Sequence, residues 1–207
     1  MIYPNTMTTH TTHTTHTTYP IEILTPRECN LLLGAPSPRT PTGSRNRALI
    51  ATLWRSGLRI SEALALRPVD VDLEQPSIRV LHGKGDKART SGIDFQACKF
   101  IKCWLKHRAE LLTAGPSDPL FCTLAGGTMK ASYVRALLKR LAHRAGVVKR
   151  VHPHAFRHSH AAELRVEGKD IGVISKQLGH GSIATTSRYL DHVAPVAVIE
   201  AIRGREW

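Results

Sequence analysis

His154-Ala155-Phe156-Arg157 sets an imidazole and a guanidinium three residues apart, so a helix there presents both on one face. The guanidinium is a planar fork of donors that matches phosphate oxygens, and a helix face carrying His and Arg suits an anion. Farther on, Leu178-Gly179-His180 adds a second imidazole just after an apolar helical pattern, with Gly179 as the helix C-cap. Nine residues later comes Tyr189, a candidate nucleophile beside such a site. Each feature alone has a plainer explanation. A His-x-x-Arg pair is most often a solvated helix face, a tyrosine near a helix end is most often core or rim, and Leu-Gly-His is merely a helix ending. Their occurrence in order, with a matching arginine upstream, is what points to a site.

That arginine is Arg59. An apolar helical pattern stops at Ser56-Gly57, and a second helix begins at once with Arg59 in its first turn and Ser61 and Glu62 behind it. Downstream, Arg79-Val80-Leu81-His82-Gly83-Lys84-Gly85-Asp86-Lys87 reads as a strand followed by a glycine-flanked lysine. Such a hairpin tip can carry Lys84 over a neighbouring groove.

Gly-Leu-Arg-Ile-Ser-Glu, Gly-Lys-Gly-Asp-Lys, His-x-x-Arg-His, Leu-Gly-His and a tyrosine nine residues on, in this order, resemble the tyrosine recombinases, or phage integrases. The likeness runs from about residue 24 to 202, the extent of a whole catalytic domain. It implies cleavage and rejoining of double-stranded DNA through a covalent 3′-phosphotyrosine, with no metal, no ATP and no other cofactor. Arg59 and Arg157 would clamp the non-bridging phosphate oxygens in place of a metal ion. Tyr189 would attack, needing a nearby cation or base because its solution pKa is ~10. By the resemblance, Lys84 is the general acid for the leaving 5′ oxygen, and His154 and His180 donate to the phosphate and assist proton transfer. Glu62 matches the family's acidic position beside the first arginine, where it orients rather than reacts. No carboxylate cluster suited to two magnesium ions is apparent, since Asp70, Asp72 and Glu74 alternate along an expected strand without a partner acid.

The formal charge of +13 over 207 residues points to a polyanionic partner. From Lys130 to Arg157 there are eight Lys or Arg and no acid. Of these, Lys130, Arg135, Lys139, Arg140, Arg144, Lys149 and Arg150 are the expected DNA-phosphate contacts, which give salt-dependent, largely sequence-independent affinity. A solvated cationic face is the plainer alternative. No apolar run approaches the length of a membrane span and no signal peptide is evident, so a cytoplasmic, nucleoid-associated protein of a prokaryote, phage or mobile element is expected. Cys29, Cys98, Cys103 and Cys122 show no metal-ligand spacing and read as reduced, buried thiols.

Residues 1–20, rich in Thr and His, read as a disordered leader with no apolar face. Residues 21–207 form the expected catalytic domain, a mostly helical α+β fold. Helices are expected from Thr25-Pro26 with Glu28 in a capping-box pattern to about 34, and over 45–56, 60–66, 95–112, 130–145, 154–167, 171–178, 183–189 and 193–202. Strands over 69–73, 77–82 and 88–94 would make a three-stranded antiparallel sheet, with a short extra strand at 120–123.

The family usually carries an N-terminal helical core-binding domain that closes a clamp round DNA, whereas only the short leader precedes the catalytic domain here. DNA grip and choice of site would then call for a partner recombinase or DNA-binding subunit. The polar third strand, Arg89-Thr90-Ser91-Gly92-Ile93, suggests a loose hairpin. The apolar-faced tail at 193–202 either packs on the core or docks on a neighbouring subunit, as in the tetramer that the family forms on DNA. Two other functions share these residues: a non-cleaving regulator that occupies recombination sites, and a type IB topoisomerase-like relaxing enzyme. A metal nuclease built on His152 and His154 is disfavoured by Pro153 between them.

Overall fold

The computed structural model describes residues 23–81, 83, 88–110, 115, 117–182, 184, 186–187 and 202–203. The Thr/His-rich leader and most of the expected helices at 183–189 and 193–202 lie outside the described residues; Ala184, Thr186 and Ser187 of the former are helical.

Helix α1 (Pro26–Gly34) starts where its capping signals put it: Thr25 Oγ1 accepts from the Glu28 N–H, and Glu28 reaches back to the Thr25 N–H at 2.7 Å. Helix α2 (Pro41–Ser56) begins four residues earlier than expected. Pro41 takes the first helical position and Thr40 accepts from the Gly43 N–H, so these residues open a helix rather than end a loop. Ala48, Leu49, Ile50, Ala51 and Leu53 are all buried, which makes α2 a helix enclosed on nearly every side. It packs against α1, α4 (Phe95–Glu110) and α6 (Pro153–Val166). Trp104, Phe121 and Phe156 fill the same core, and the Trp104 indole donates to the Leu120 carbonyl at 2.6 Å.

After the short α3 (Ile60–Ala65), the expected strand at 69–73 is mostly something else. Pro68–Asp70 is a 3-10 turn, because Pro68 lacks a ladder donor and Asp70 accepts from the Arg67 backbone N–H. Asp70 is thereby turned inward to Arg67 and Arg79 instead of alternating along a strand with Asp72. The sheet is antiparallel in the order β1 (Val71–Asp72), β2 (Ser77–Val80), β3 (Arg89–Gly92), all shorter than expected. Its third strand is polar for a reason. Ser91 is fully buried and donates to the Ser56 carbonyl, and β3 pairs with β2 along four residues, so these strands are firmly joined. The segment at 120–123 is an isolated bridge, Cys122 to Thr128, not a strand.

Helices α5 (Ala131–Arg144), α6 and α7 (Ile171–Leu178) complete the described fold close to their expected bounds. Cys29, Cys98 and Cys122 are buried free thiols, but Cys103 falls on the outer face of α4 and is exposed. Among the described residues no helix is long and apolar enough to cross a membrane.

The α2 C-cap, Gly57, has φ +65°, and a Cβ there would stand 2.7 Å from His160 of α6 and 2.8 Å from Leu178 of α7. Left-handed strain and overpacking add, so Gly57→Ala is expected to lower unfolding free energy by about 2–4 kcal/mol in urea denaturation. A loss below about 1 kcal/mol would contradict this packing.

Candidate active site

Arg157 projects from the second turn of α6 and is 2% exposed. Its Nη1 donates to the Gly57 carbonyl at 2.6 Å and its Nη2 to the Leu178 carbonyl at 2.7 Å. These carbonyls lie at the C-terminal ends of α2 and α7, where orphan acceptors and the helix dipoles both favour a cation. Gly57 stands two residues before Arg59, and Leu178 two residues before His180. A single buried side chain therefore draws together the segments that carry three of the expected site residues.

Arg59 is the N-cap residue of α3, with its side chain 21% exposed. The capping partner is Glu62, whose Oε2 accepts from the Arg59 N–H at 2.8 Å and whose Oε1 accepts from Arg59 Nη1 at 2.9 Å. Glu62 is almost wholly buried, and Arg89 at the head of β3 also donates to both of its oxygens at 2.9 Å. Burial by itself raises the carboxyl pKa, but the Arg89 hydrogen bonds, the Arg59 backbone N–H and the charge of Arg89 outweigh it and bring the pKa to about 2.

His154 lies one turn before Arg157, at the exposed start of α6. Its pKa is lowered, by partial burial first and then by the positive charges of Arg157, Arg59 and Arg135. The expected trio of Arg59, His154 and Arg157 thus shares one local field, to which Arg135 of α5 contributes. His180 follows a Schellman ending of α7: its N–H bonds to the Ser175 carbonyl, the Gly179 N–H bonds to the Lys176 carbonyl, and Gly179 has φ +65°. The imidazole Nδ1 then lies 2.8 Å from Thr186 Oγ1. Lys84 and Tyr189 lie outside the described residues.

Of the expected DNA contacts, Lys130, Arg135, Lys139, Arg140, Arg144 and Arg150 are exposed along α5 and the loop after it. A groove of about 730 Å³ is lined there by Arg135, Lys139, His143, Lys149, Arg150 and His152. Lys149 departs from expectation. Its ammonium is held by Glu28 and by the Ile23 carbonyl, each at 2.8 Å, so besides lining the groove it fastens the start of α1. The rings of His152 and His154 are 6.5 Å apart and tilted by 58°. No group of three or more His, Cys, Asp or Glu that could hold a metal ion occurs among the described residues.

Residues 22–194 match the model of the phage integrase family. The chain belongs to the phage integrase family. Similar curated members of this family include tyrosine recombinase XerD of Ralstonia nicotianae, 37% identical over 172 residues that make up 83% of this chain and 56% of the relative. Tyrosine recombinase XerC of Myxococcus xanthus is 34% identical over 81% of this chain and 57% of its own length. The chain spans about half the length of the curated relatives it matches. Among solved structures it is similar to XerA recombinase, with a TM-score of 0.78 at 30% identity, covering 90% of this chain and 66% of that one. It is also similar to XerH site-specific recombinase bound to palindromic difH substrate in a post-cleavage complex, with a TM-score of 0.73 at 27% identity over 87% of this chain and 52% of that one. The fold is that of a tyrosine recombinase catalytic domain: it covers 96% of the catalytic domain of bacteriophage HP1 integrase and 90% of itself, with a TM-score of 0.59 at 22% identity.

Two residues outside the expected set tie these segments together. Arg89 binds Glu62, and Gln177 of α7 donates to the Ser56 and Gly92 carbonyls while accepting from the Gly92 N–H. Gln177 immediately precedes the Leu-Gly-His triplet, and Arg89 follows the Gly-Lys-Gly-Asp-Lys run by two residues, which are the positional signals that could have marked them.

Because the Glu62 pKa is depressed on folding, its contribution to stability is full above an unfolded value near 4.5 and is lost as pH falls toward about 2. The melting-temperature gap between the parent protein and Glu62→Gln is therefore expected to be constant above about pH 5 and to shrink steadily below it. A gap that stays unchanged down to pH 3 would show that Glu62 is not held as an ion-paired carboxylate.

Proposed function

We propose that this chain supplies the catalytic domain of a site-specific DNA recombinase that cuts and rejoins duplex DNA through a 3′-phosphotyrosine. The observation that carries the reading is the gathering of Arg59, His154 and Arg157 by buried contacts, with a cationic α5 groove beside them. The names of the similar proteins, all recombinases or an integrase, support it from outside.

In this mechanism Arg59 and Arg157 receive the scissile phosphate and stabilise the charge that grows on its non-bridging oxygens. Preorganised donors of this kind are worth about 10²–10³ in rate each. Tyr189 passes its phenolic proton to the neutral imidazole of His154 as it attacks phosphorus, and the bond to the 5′ oxygen breaks as Lys84 protonates that oxygen. His154, kept neutral near pH 7 by its lowered pKa, can accept a proton or donate one N–H. His180 donates to the phosphate as well. The phosphotyrosyl bond conserves the energy of the original linkage, so a 5′ hydroxyl from another strand can reverse the step. Lys130, Arg135, Lys139, Arg140, Arg144 and Arg150 grip flanking phosphates. On DNA the protein works as a tetramer joined through its 193–202 tail, with any further grip coming from a partner recombinase or DNA-binding subunit, in the nucleoid of a bacterium or in a phage-infected cell.

The test is incubation with nicked suicide duplexes carrying candidate recombination sites, in EDTA, with and without a partner recombinase, followed by a denaturing gel. A slow-migrating protein–DNA band that disappears in Tyr189→Phe is the expected result. Binding without any adduct would overturn the reading in favour of a non-cleaving regulator. Adducts on every duplex, together with relaxation of supercoiled plasmid, would favour a topoisomerase-like enzyme.

A further inference from the structure

Arg89 bonds to the acid behind Arg59, and of the two arginines whose side chains bind Glu62 it makes the more complete contact. Its two terminal nitrogens each meet one oxygen of Glu62 at 2.9 Å, while Arg59 offers a single side-chain bond to Oε1. Two guanidiniums around one carboxylate leave a net positive charge in a poorly hydrated place. Without Arg89, Glu62 and Arg59 would form a closed neutral pair, attracting each other strongly in the low local dielectric.

We propose that Arg89 is a positioning residue for DNA cleavage, engaging both oxygens of Glu62 so that the charge of Arg59 remains available to the scissile phosphate. The proposal rests on the reading that the chain cleaves DNA. A second contact ties the same guanidinium to the other end of the site. A Cβ on Gly179 would stand 2.6 Å from Arg89 Nε and 2.7 Å from its Cδ and Cζ, so the arginine runs directly against the turn that leads into His180. Only glycine leaves that passage open. Ser91, two residues further along β3, fastens the strand to the end of α2 by donating to the Ser56 carbonyl. Arg89 is thereby seated between the turn before His180 and the acid behind Arg59, and it lies five residues after Lys84 in sequence.

The experiment compares adduct formation on a nicked suicide duplex by the parent protein, Arg89→Ala, Glu62→Gln and the double variant, with DNA affinity and thermal melting measured on each. Arg89→Ala is expected to cleave about a hundredfold more slowly while binding DNA as tightly as the parent. Adding Glu62→Gln should then recover about tenfold, because it removes the carboxylate that had captured Arg59. A merely structural anchor would show no such rescue. Arg89→Gln, which keeps a donor and most of the stem, carries the same comparison if Arg89→Ala does not fold. An Arg89 variant that cleaves within about threefold of the parent, or a double variant no faster than the single, overturns the proposal. If the parent protein forms no adduct under any condition, the cleavage reading itself fails, and the two failures are told apart.

Discussion

A guanidinium buried among helix ends governs this molecule. Burying a charge is costly unless hydrogen bonds and opposing charge meet it, and Arg157 is met by carbonyls at the C-termini of α2 and α7. The consequence is geometric. The chain leaving α2 reaches Arg59 two residues later, and the chain leaving α7 reaches His180 two residues later. His154 sits one turn earlier on Arg157's own helix. One desolvated cation thus ties together the segments that carry Arg59, His154 and His180, and that part of the arrangement is fixed from the interior of the protein.

Behind this centre the fold supplies rigidity. Helix α2, buried on nearly all sides between α1, α4 and α6, ends at Gly57, whose lack of a Cβ lets His160 and Leu178 close against it. Gln177 and Ser91 then stitch α7 and β3 to the last carbonyl of α2. Polar contacts at the end of α2 therefore hold α7 and β3 beside the charged centre. The Glu62 carboxylate lies beside this centre, bonded at both oxygens by Arg89 and at one by the Arg59 side chain.

Much of this was legible in the sequence because it is local. Thr25-Pro26 with Glu28 marked a helix start, Gly179 marked a helix end, and the order of five short motifs marked the family. What could not be read were pairings between distant segments. Lys149 looked like one more cation in an acid-free stretch, but its partner Glu28 lies 121 residues away. The polar third strand suggested a loose hairpin, yet its two inward polar side chains answer groups elsewhere: Arg89 to Glu62, Ser91 to Ser56. Arg157 itself gave an ambiguous signal, since a His-x-x-Arg spacing fits a solvated face as well as a buried donor. Only the convergence of two helix ends upon it separates those cases.

The most direct test of the account is to digest the isolated protein–DNA adduct with nuclease and protease and to locate the nucleotide-bearing peptide by mass spectrometry. The account predicts one modified residue, Tyr189, linked to the 3′ phosphate of the cleaved strand, with the 5′ end left as a hydroxyl. A modification on any other residue, or a linkage through the 5′ phosphate, would contradict it.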